Sequence, residues 1–182
     1  MKKITIVDYG SGNVLSAQKS FIKIAKDNNI EVDVLISKKL NDVKNSTHIV
    51  LPGQGAFSTC MNGLKKTDGL IDELSEFALI KKKPFLGICV GMQMLAKTSE
   101  ENGDHKGLGW IDGQIKLLPG NNLKLPHMGW NLVIPTNTRY NNLISTKNDY
   151  YFVHSYYFDC AEKDNILAET KYGTNFASIV GK

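Results

Sequence analysis

Residues 85–93 read FLGICVGMQ. Phe85, Leu86 and Ile88 form an apolar run on both faces, which suits a strand at the centre of a parallel sheet covered by helices. A helical pattern leaves the segment after Cys89. The cysteine sits between two glycines, Gly87 and Gly91, in the form Gly-x-Cys-x-Gly. This parallels the nucleophile elbow Gly-x-Ser-x-Gly, in which glycines permit a sharp strand-to-helix turn and leave the nucleophile exposed. At a helix N-terminus the thiol is expected to have a depressed pKa. The backbone N–H of Val90 is expected to face a developing oxyanion. A buried core cysteine before an ordinary turn fits these five residues about as well.

Upstream, ITIV (4–7) is a short β-branched strand ending in the turn-rich segment DYGSGN. A helix follows, with Val14, Ala17, Phe21, Ile24 and Ala25 placed on one face. VDVLI (32–36) is a second strand. HIVLPGQGAF begins a third at Ile49 and breaks at Pro52-Gly53. Leu70, Leu74, Phe77 and Ala78 mark another helix that stops before Pro84. This alternation predicts an α/β fold, an open and mostly parallel sheet flanked by helices. Beyond residue 100 the pattern turns β-rich and antiparallel: GLGWIDGQIKLLP, YYFVHSYYF (150–158) and NFASIV (175–180) are strand-like, and no long helix is expected. With no linker, repeat or low-complexity segment, 1–182 is read as a single domain.

Composition narrows the function. The chain has 182 residues, of which 42% are hydrophobic and 22% charged, and a formal net charge of +4. That is a globular composition with room for a sizeable core. No apolar run is long enough to span a bilayer, and the apolar run near the N-terminus is too short for a signal peptide, so a cytoplasmic location is expected. The basic residues are scattered. Lys81, Lys82 and Lys83 read as the solvated end of a helix, and no basic stripe interleaved with aromatics suggests nucleic acid. Cys60, Cys89 and Cys160 are the three cysteines. None has metal-ligand spacing, and neither a metal nor a cofactor is expected.

In an open parallel sheet, ligands gather beyond the C-terminal ends of the strands. DYGSGN, PGQGAF and GICVGMQ should therefore meet. Gly53 and Gly55 in the second loop suit either exposed N–H groups of an oxyanion hole or an ordinary turn. Gly10 and Gly12 lack the third glycine of a dinucleotide fingerprint, since Leu15 stands in its place. Cys60 and Cys160 have no glycine frame and read as core or surface thiols.

The ordered set VDYGSGN, LPGQGAF, LGICVGMQ, KGLGW, PHMGWN and YFVHSYY resembles the glutaminase subunits (HisH) of imidazole glycerol phosphate synthase. These are class I (triad) glutamine amidotransferases with a flavodoxin-like sheet. The resemblance runs from Lys3 to about Val180. It implies hydrolysis of glutamine through a Cys89 thioester, with ammonia passed to a (βα)₈ cyclase subunit (HisF) in histidine biosynthesis. It implies a low basal turnover raised by the cyclase ligand. By the resemblance, Gln93 helps hold the substrate, the backbone at Gly53 and Gln54 flips to form the oxyanion hole, and Val90 gives the second donor. Ser155 and Tyr156 clasp the α-groups of glutamine, and Asn13, Trp130 and Tyr151 face the cyclase and the ammonia path.

One element of the family pattern, a His-Pro-Glu tripeptide carrying the base and its orienting acid, does not occur in the 182 residues. The chain is therefore expected to be a C-terminally truncated form with impaired hydrolysis. Of its histidines, His48 is expected at the far end of its strand from the site, and His105 in a solvated polar loop. His127 and His154 match positions outside the triad and read as strand histidines satisfied by neighbours. Competing readings are a non-catalytic cyclase-binding form, a paralogous subunit feeding ammonia to another pathway, and a different elbow enzyme.

Overall fold

The computed structural model describes residues 1–120, 123–136, 144 and 146–182. Two compact units divide the chain, Met1–Leu95 and Ala96–Lys182.

The first unit is built on a parallel sheet. Its strands are β1 (Lys2–Val7), β2 (Val32–Ser37), β3 (His48–Gly53) and β4 (Phe85–Cys89), in the order β2-β1-β3-β4. Helices α1 (Val14–Asp27), α2 (Leu40–Lys44), α3 (Phe57–Lys65) and α4 (Leu70–Ser75) connect them, and a short helix α5 (Val90–Gln93) follows β4. Val14, Ala17 and Phe21 of α1 pack on Ile4, Ile6 and Val50 of the sheet. Phe57, Leu64, Leu70, Leu74 and Phe77 are wholly buried. Each such side chain stabilises the fold by roughly 1.5–3 kcal/mol relative to exposure. Asn13 caps α1, its Oδ1 accepting the Ser16 N–H at 3.1 Å. That bond satisfies one of the N–H groups a helix start leaves without a partner.

Two expectations are corrected here. Ile24 lies outside the buried face of α1 and is 60% exposed. Ala25 takes the buried position, and adjacent helical residues sit 100° apart, so both cannot face the sheet. β4 is an edge strand of this sheet, with Leu86 and Ile88 exposed. Two apolar faces do not fix a strand's place in the sheet order, which depends on pairing partners. The helix at 70–80 is composite: α4 runs on into a single π turn, Glu76–Ile80. Lys81 pairs with Glu73 and Glu76, and Lys83 donates to the Ser46 carbonyl at 2.9 Å. The lysine cluster is thus partly structural.

The second unit is a mixed sheet of eight strands. They are β5 (Thr98–Ser99), β6 (His105–Lys106), β7 (Gly113–Leu117), β8 (His127–Pro135), β9 (Asn148–His154), β10 (Tyr156–Cys160), β11 (Ile166–Tyr172) and β12 (Thr174–Val180). The order is β6-β5-β7-β10-β12-β11-β8-β9. Only a 3₁₀ turn, Lys163–Asn165, interrupts the strands among the described residues, in keeping with the expected absence of long helices. Ile115, Leu118, Phe158 and Phe176 form the buried side. The run 150–158 is two strands, broken by a bend at Ser155. β8 and β11 escape a pattern reading. β8 alternates instead: Met128, Trp130, Leu132 and Ile134 are exposed, whereas His127 and Val133 are buried.

Candidate active site

The parallel strands β1, β3 and β4 end at one edge of the first unit, and their three loops meet there. Gly53 pairs with Cys89 in the β3–β4 register. The Ser11 hydroxyl donates to the Gln54 carbonyl at 2.7 Å, and the Tyr9 hydroxyl to the Pro52 carbonyl at 2.6 Å. A side chain at Gly12 would lie 3.0 Å from Pro52.

Cys89 has φ +55° and ψ −118°, a conformation that non-glycine residues rarely adopt and that marks functional turns. The flanking glycines are required by close packing. A Cβ on Gly87 would lie 2.7 Å from the Gly91 carbonyl oxygen, and one on Gly91 would lie 1.8 Å from the Leu51 carbonyl oxygen. A Cβ on Gly53 would come within 2.5 Å of the Gly91 N. β3, β4 and the start of α5 therefore touch backbone to backbone. That contact folds the turn tightly enough to leave Cys89 exposed at its tip.

The expected depression of the Cys89 pKa is not found. Desolvation pushes the thiol up, and the single N–H of Val90 only partly opposes it. The physical reason is that α5 spans only Val90–Gln93, too short to present the field of a full helix, while the surrounding protein removes water from the sulfur. The turn by itself therefore does not favour the thiolate, and a base is needed to form it. His48, the histidine of the first unit, starts β3 while Cys89 pairs with its end. Five residues of strand place it roughly 16 Å away, as expected from the sequence.

The Gly53–Gly55 loop adopts a defined state. Gly55 has φ +88°, which glycine alone tolerates easily. The Gln54 N–H is directed to the Ser11 Oγ at 3.3 Å, and the Gln54 carbonyl also accepts from the Cys60 thiol at 3.4 Å. Cys60 is wholly buried. Gln93, at the end of α5, is buried as well. Sequence reasoning missed Ser11 and Cys60 as partners of this loop. Their signal, a small polar residue between two glycines and a cysteine on the next helix, is too common to single out.

In the second unit, Ser155 forms the bend between β9 and β10. Its carbonyl accepts the Leu118 N–H at 2.8 Å, and the Tyr156 carbonyl accepts from the His154 ring at 2.9 Å. Trp130 and Tyr151 stand opposite each other in the β8–β9 register. They meet edge to face at 5.7 Å between ring centroids and are 73% and 57% exposed. With Met128 and Val153 they make one apolar outer face. Asn13 is exposed, and its side chain is engaged as the α1 cap. His127 and His154 are hydrogen-bonded to each other at 2.9 Å, satisfied by neighbours as expected. His105 departs from expectation: its Nε2 is buried without a hydrogen-bond partner, because its short strand pairs with β5. Burial raises the Cys160 thiol to about 12. Among the described residues no group of His, Cys, Asp or Glu is arranged to hold a metal, and no helix is long and apolar enough to cross a membrane.

Comparison with known proteins settles the family. The pattern described as "Glutamine amidotransferase class-I" matches residues 5–182. The chain belongs to the class-I glutamine amidotransferase family. The match runs through both units. Within that family it is 43% identical over 182 residues to the imidazole glycerol phosphate synthase subunit HisH of Pelagibacter ubique, covering 98% of this chain and 86% of the relative. It is 39% identical over 184 residues to the HisH subunit of Rhodospirillum rubrum (99% and 86% covered). It is 41% identical over 180 residues to that of Cereibacter sphaeroides (97% and 84%). A crystal structure of a glutamine amidotransferase superposes with a TM-score of 0.65 at 15% identity, covering 94% of this chain and 85% of that one. At that identity the likeness concerns the fold, and it agrees with the α/β architecture expected of an amidotransferase.

Proposed function

We propose that this chain is the glutaminase subunit of an imidazole glycerol phosphate synthase, a cytoplasmic enzyme of histidine biosynthesis. It hydrolyses glutamine to glutamate and ammonia and delivers ammonia to a cyclase subunit (HisF). The observation that carries the reading is the Cys89 elbow, a thiol held at positive φ by a backbone-to-backbone glycine frame.

An amide is a poor electrophile, so its hydrolysis needs a nucleophile, charge stabilisation and a proton donor. Cys89 Sγ attacks the side-chain amide carbon of glutamine, and the thiol proton passes to a base. Because desolvation disfavours the thiolate, proton removal and attack are coupled. The Val90 N–H, already at the sulfur, turns to the oxyanion. The Gln54 N–H becomes the second donor once the Gly53–Gln54 peptide leaves Ser11. Collapse of the tetrahedral species breaks the C–N bond, and ammonia leaves with a proton from the conjugate acid. Water then hydrolyses the thioester and regenerates the thiol. Gln93 helps hold the substrate. The base is not a histidine of Met1–Leu95, whose His48 stands at the wrong end of β3. The outer face of β8–β9, with Trp130 and Tyr151, receives the cyclase.

The test is labelling with 6-diazo-5-oxo-norleucine, a glutamine analogue that alkylates amidotransferase thiols, on the chain bound to its cyclase. The expected adduct maps to Cys89, and glutamine protects against it. Labelling only at Cys60 or Cys160, or ammonia release retained by Cys89→Ala, refutes the reading.

A further inference from the structure

Backbone pairing between β8 and β11 is sparse. Their register joins Pro135 to Ala168 and Ile134 to Glu169, at the far end of β8 from His127. Near His127, the β8–β9 pair is tied to the rest of its sheet by a row of side-chain bonds. His127 and His154 stand opposite each other in register, and His127 Nδ1 lies 2.9 Å from His154 Nε2. His154 Nδ1 lies 2.9 Å from the Tyr156 carbonyl oxygen of β10. On the other side, His127 Nε2 lies 3.1 Å from Asn131 Nδ2. That nitrogen also donates to the Lys171 carbonyl of β11 at 3.0 Å, and Asn131 Oδ1 accepts the Leu132 N–H at 2.8 Å. The row therefore runs from β10 through β9 and β8 to β11.

Both ends of the row are carbonyl oxygens, which only accept. His154 must donate from Nδ1, which leaves a lone pair at Nε2. His127 donates to it from Nδ1 and accepts from Asn131 at Nε2. Both rings are thus neutral, and an added proton has no place. On His154 Nε2 it faces the N–H of His127. Shifting that second proton to His127 Nε2 sets it against the Asn131 amide. Turning the amide aims its oxygen at the Lys171 carbonyl and its N–H groups at that of Leu132. Every rearrangement breaks a bond. From β9 and β11, Phe152 and Tyr172 stack on His127 at 4.9 and 4.1 Å. From β12, Phe176 packs on His154 at 4.9 Å. Tyr172 is the titratable side chain among these, its hydroxyl donating to the Lys124 carbonyl at 2.7 Å. The ring faces attract a cation, but that attraction acts across the imidazole plane and leaves the conflict within the plane. Burial acts in the same direction as the conflict and holds both histidines below their ordinary pKa.

We infer that this row is a pH-sensitive clasp: with both rings neutral it fastens the β8–β9 pair onto β10 and β11, and a proton on either ring releases it. The rings are neutral in the closed state and free to charge in the open one, so the closed state binds fewer protons. Closure is therefore complete above the ordinary histidine pKa of about 6.5 and weakens as pH falls below it. The fastened strands carry Trp130 and Tyr151 opposite each other, so the clasp governs whether that apolar face is assembled.

The experiment is native-state hydrogen exchange on the full chain at pH 7.5 and pH 5.5, with protection factors corrected for intrinsic exchange. Between those values the β8–β9 amides of the wild type should lose roughly hundredfold in protection, about tenfold for each ring that charges only on opening. The β1–β2 amides of the first unit should lose far less. The double variant His127→Gln, His154→Gln should show little pH dependence at β8–β9. In the wild type at pH 7.5, ¹⁵N imidazole NMR should show both rings protonated at Nδ1 only. Equal β8–β9 protection at the two pH values overturns the clasp. So does an equal fall at β1–β2, which would report acid unfolding of the whole chain. A double variant that keeps the wild-type fall traces it to other groups and overturns the clasp as well. Nε2-protonated rings overturn the proton order in the row. That measurement and the exchange comparison need the wild type alone, so they decide the matter even where the variant does not fold.

Discussion

Replacing Ser11 by alanine tests the loop that the proposed function assigns to the oxyanion hole, and the turned state the mechanism requires of it. The Ser11 hydroxyl donates to the Gln54 carbonyl at 2.7 Å and accepts the Gln54 N–H at 3.3 Å. The first is a good bond and the second a long one. Net contributions of about 1 kcal/mol and about half that give roughly 1.5 kcal/mol favouring the state in which the Gln54 N–H is turned away from an oxyanion. The Cys60 thiol stays on the same carbonyl at 3.4 Å, so Ser11→Ala weakens the latch without abolishing it. The ready state then gains about tenfold in population. In complex with the cyclase, basal ammonia release without cyclase ligand should rise about five- to tenfold. The ligand-stimulated rate should barely change, because the loop is by then already turned. Coupled glutamate detection measures both rates. A basal rate that is unchanged or lower, at unchanged thermal stability, refutes the latch.

Three further predictions follow from the packing and electrostatics. Gly91→Ala sets a Cβ 1.8 Å from the Leu51 carbonyl oxygen, a backbone atom of a buried strand, and should cost more than about 3 kcal/mol. Thermal unfolding at wild-type temperature would contradict the close approach. Alkylation of Cys89 by iodoacetamide in the free chain should keep rising above pH 8.5, the ordinary midpoint of a thiol, since desolvation raises its pKa. A plateau below neutral pH would mean a stabilised thiolate instead. Trp130→Ala removes a side chain that is 73% exposed, so stability should hold. Affinity for the cyclase should fall by about 2 kcal/mol, roughly thirtyfold, as for a buried aromatic anchor; calorimetric titration that shows no loss moves the interface elsewhere.

How legible was this in the sequence? The parallel half was open to reading because its strands are short, mostly apolar runs separated by turn-rich loops and helical patterns. The Cys89 elbow was legible because its glycines are forced by backbone contacts, and such contacts leave no alternative residue. The sheet order was not legible: FLGI reads as a central strand, yet β4 lies at the edge, since side-chain polarity does not encode pairing. β8 was missed because its signal is an alternation with an exposed apolar phase, the reverse of an ordinary strand on a wet face. The thiol's pKa was misjudged because the pattern shows where a helix begins, while the strength of its field depends on length and solvent. The Ser11 and Cys60 contacts with Gln54 join residues 43 and 6 positions apart, a conjunction that only the fold makes visible.

These corrections bear on how the site works. A non-glycine residue held at positive φ carries a strain of order 1–3 kcal/mol, and at Cys89 it is sustained by the packing of Gly53, Gly87 and Gly91. That packing sets Cys89 at the exposed tip of the turn, yet desolvation still disfavours its thiolate, so the elbow alone supplies reach without reactivity. The loop that would stabilise the oxyanion is meanwhile turned onto Ser11. Geometry and activation are thus separate properties of this unit: the first is built into the backbone, and the second requires both a proton acceptor and a turned peptide. An amidotransferase arranged in this way wastes little glutamine when idle, because two independent conditions must be met before the thiol attacks.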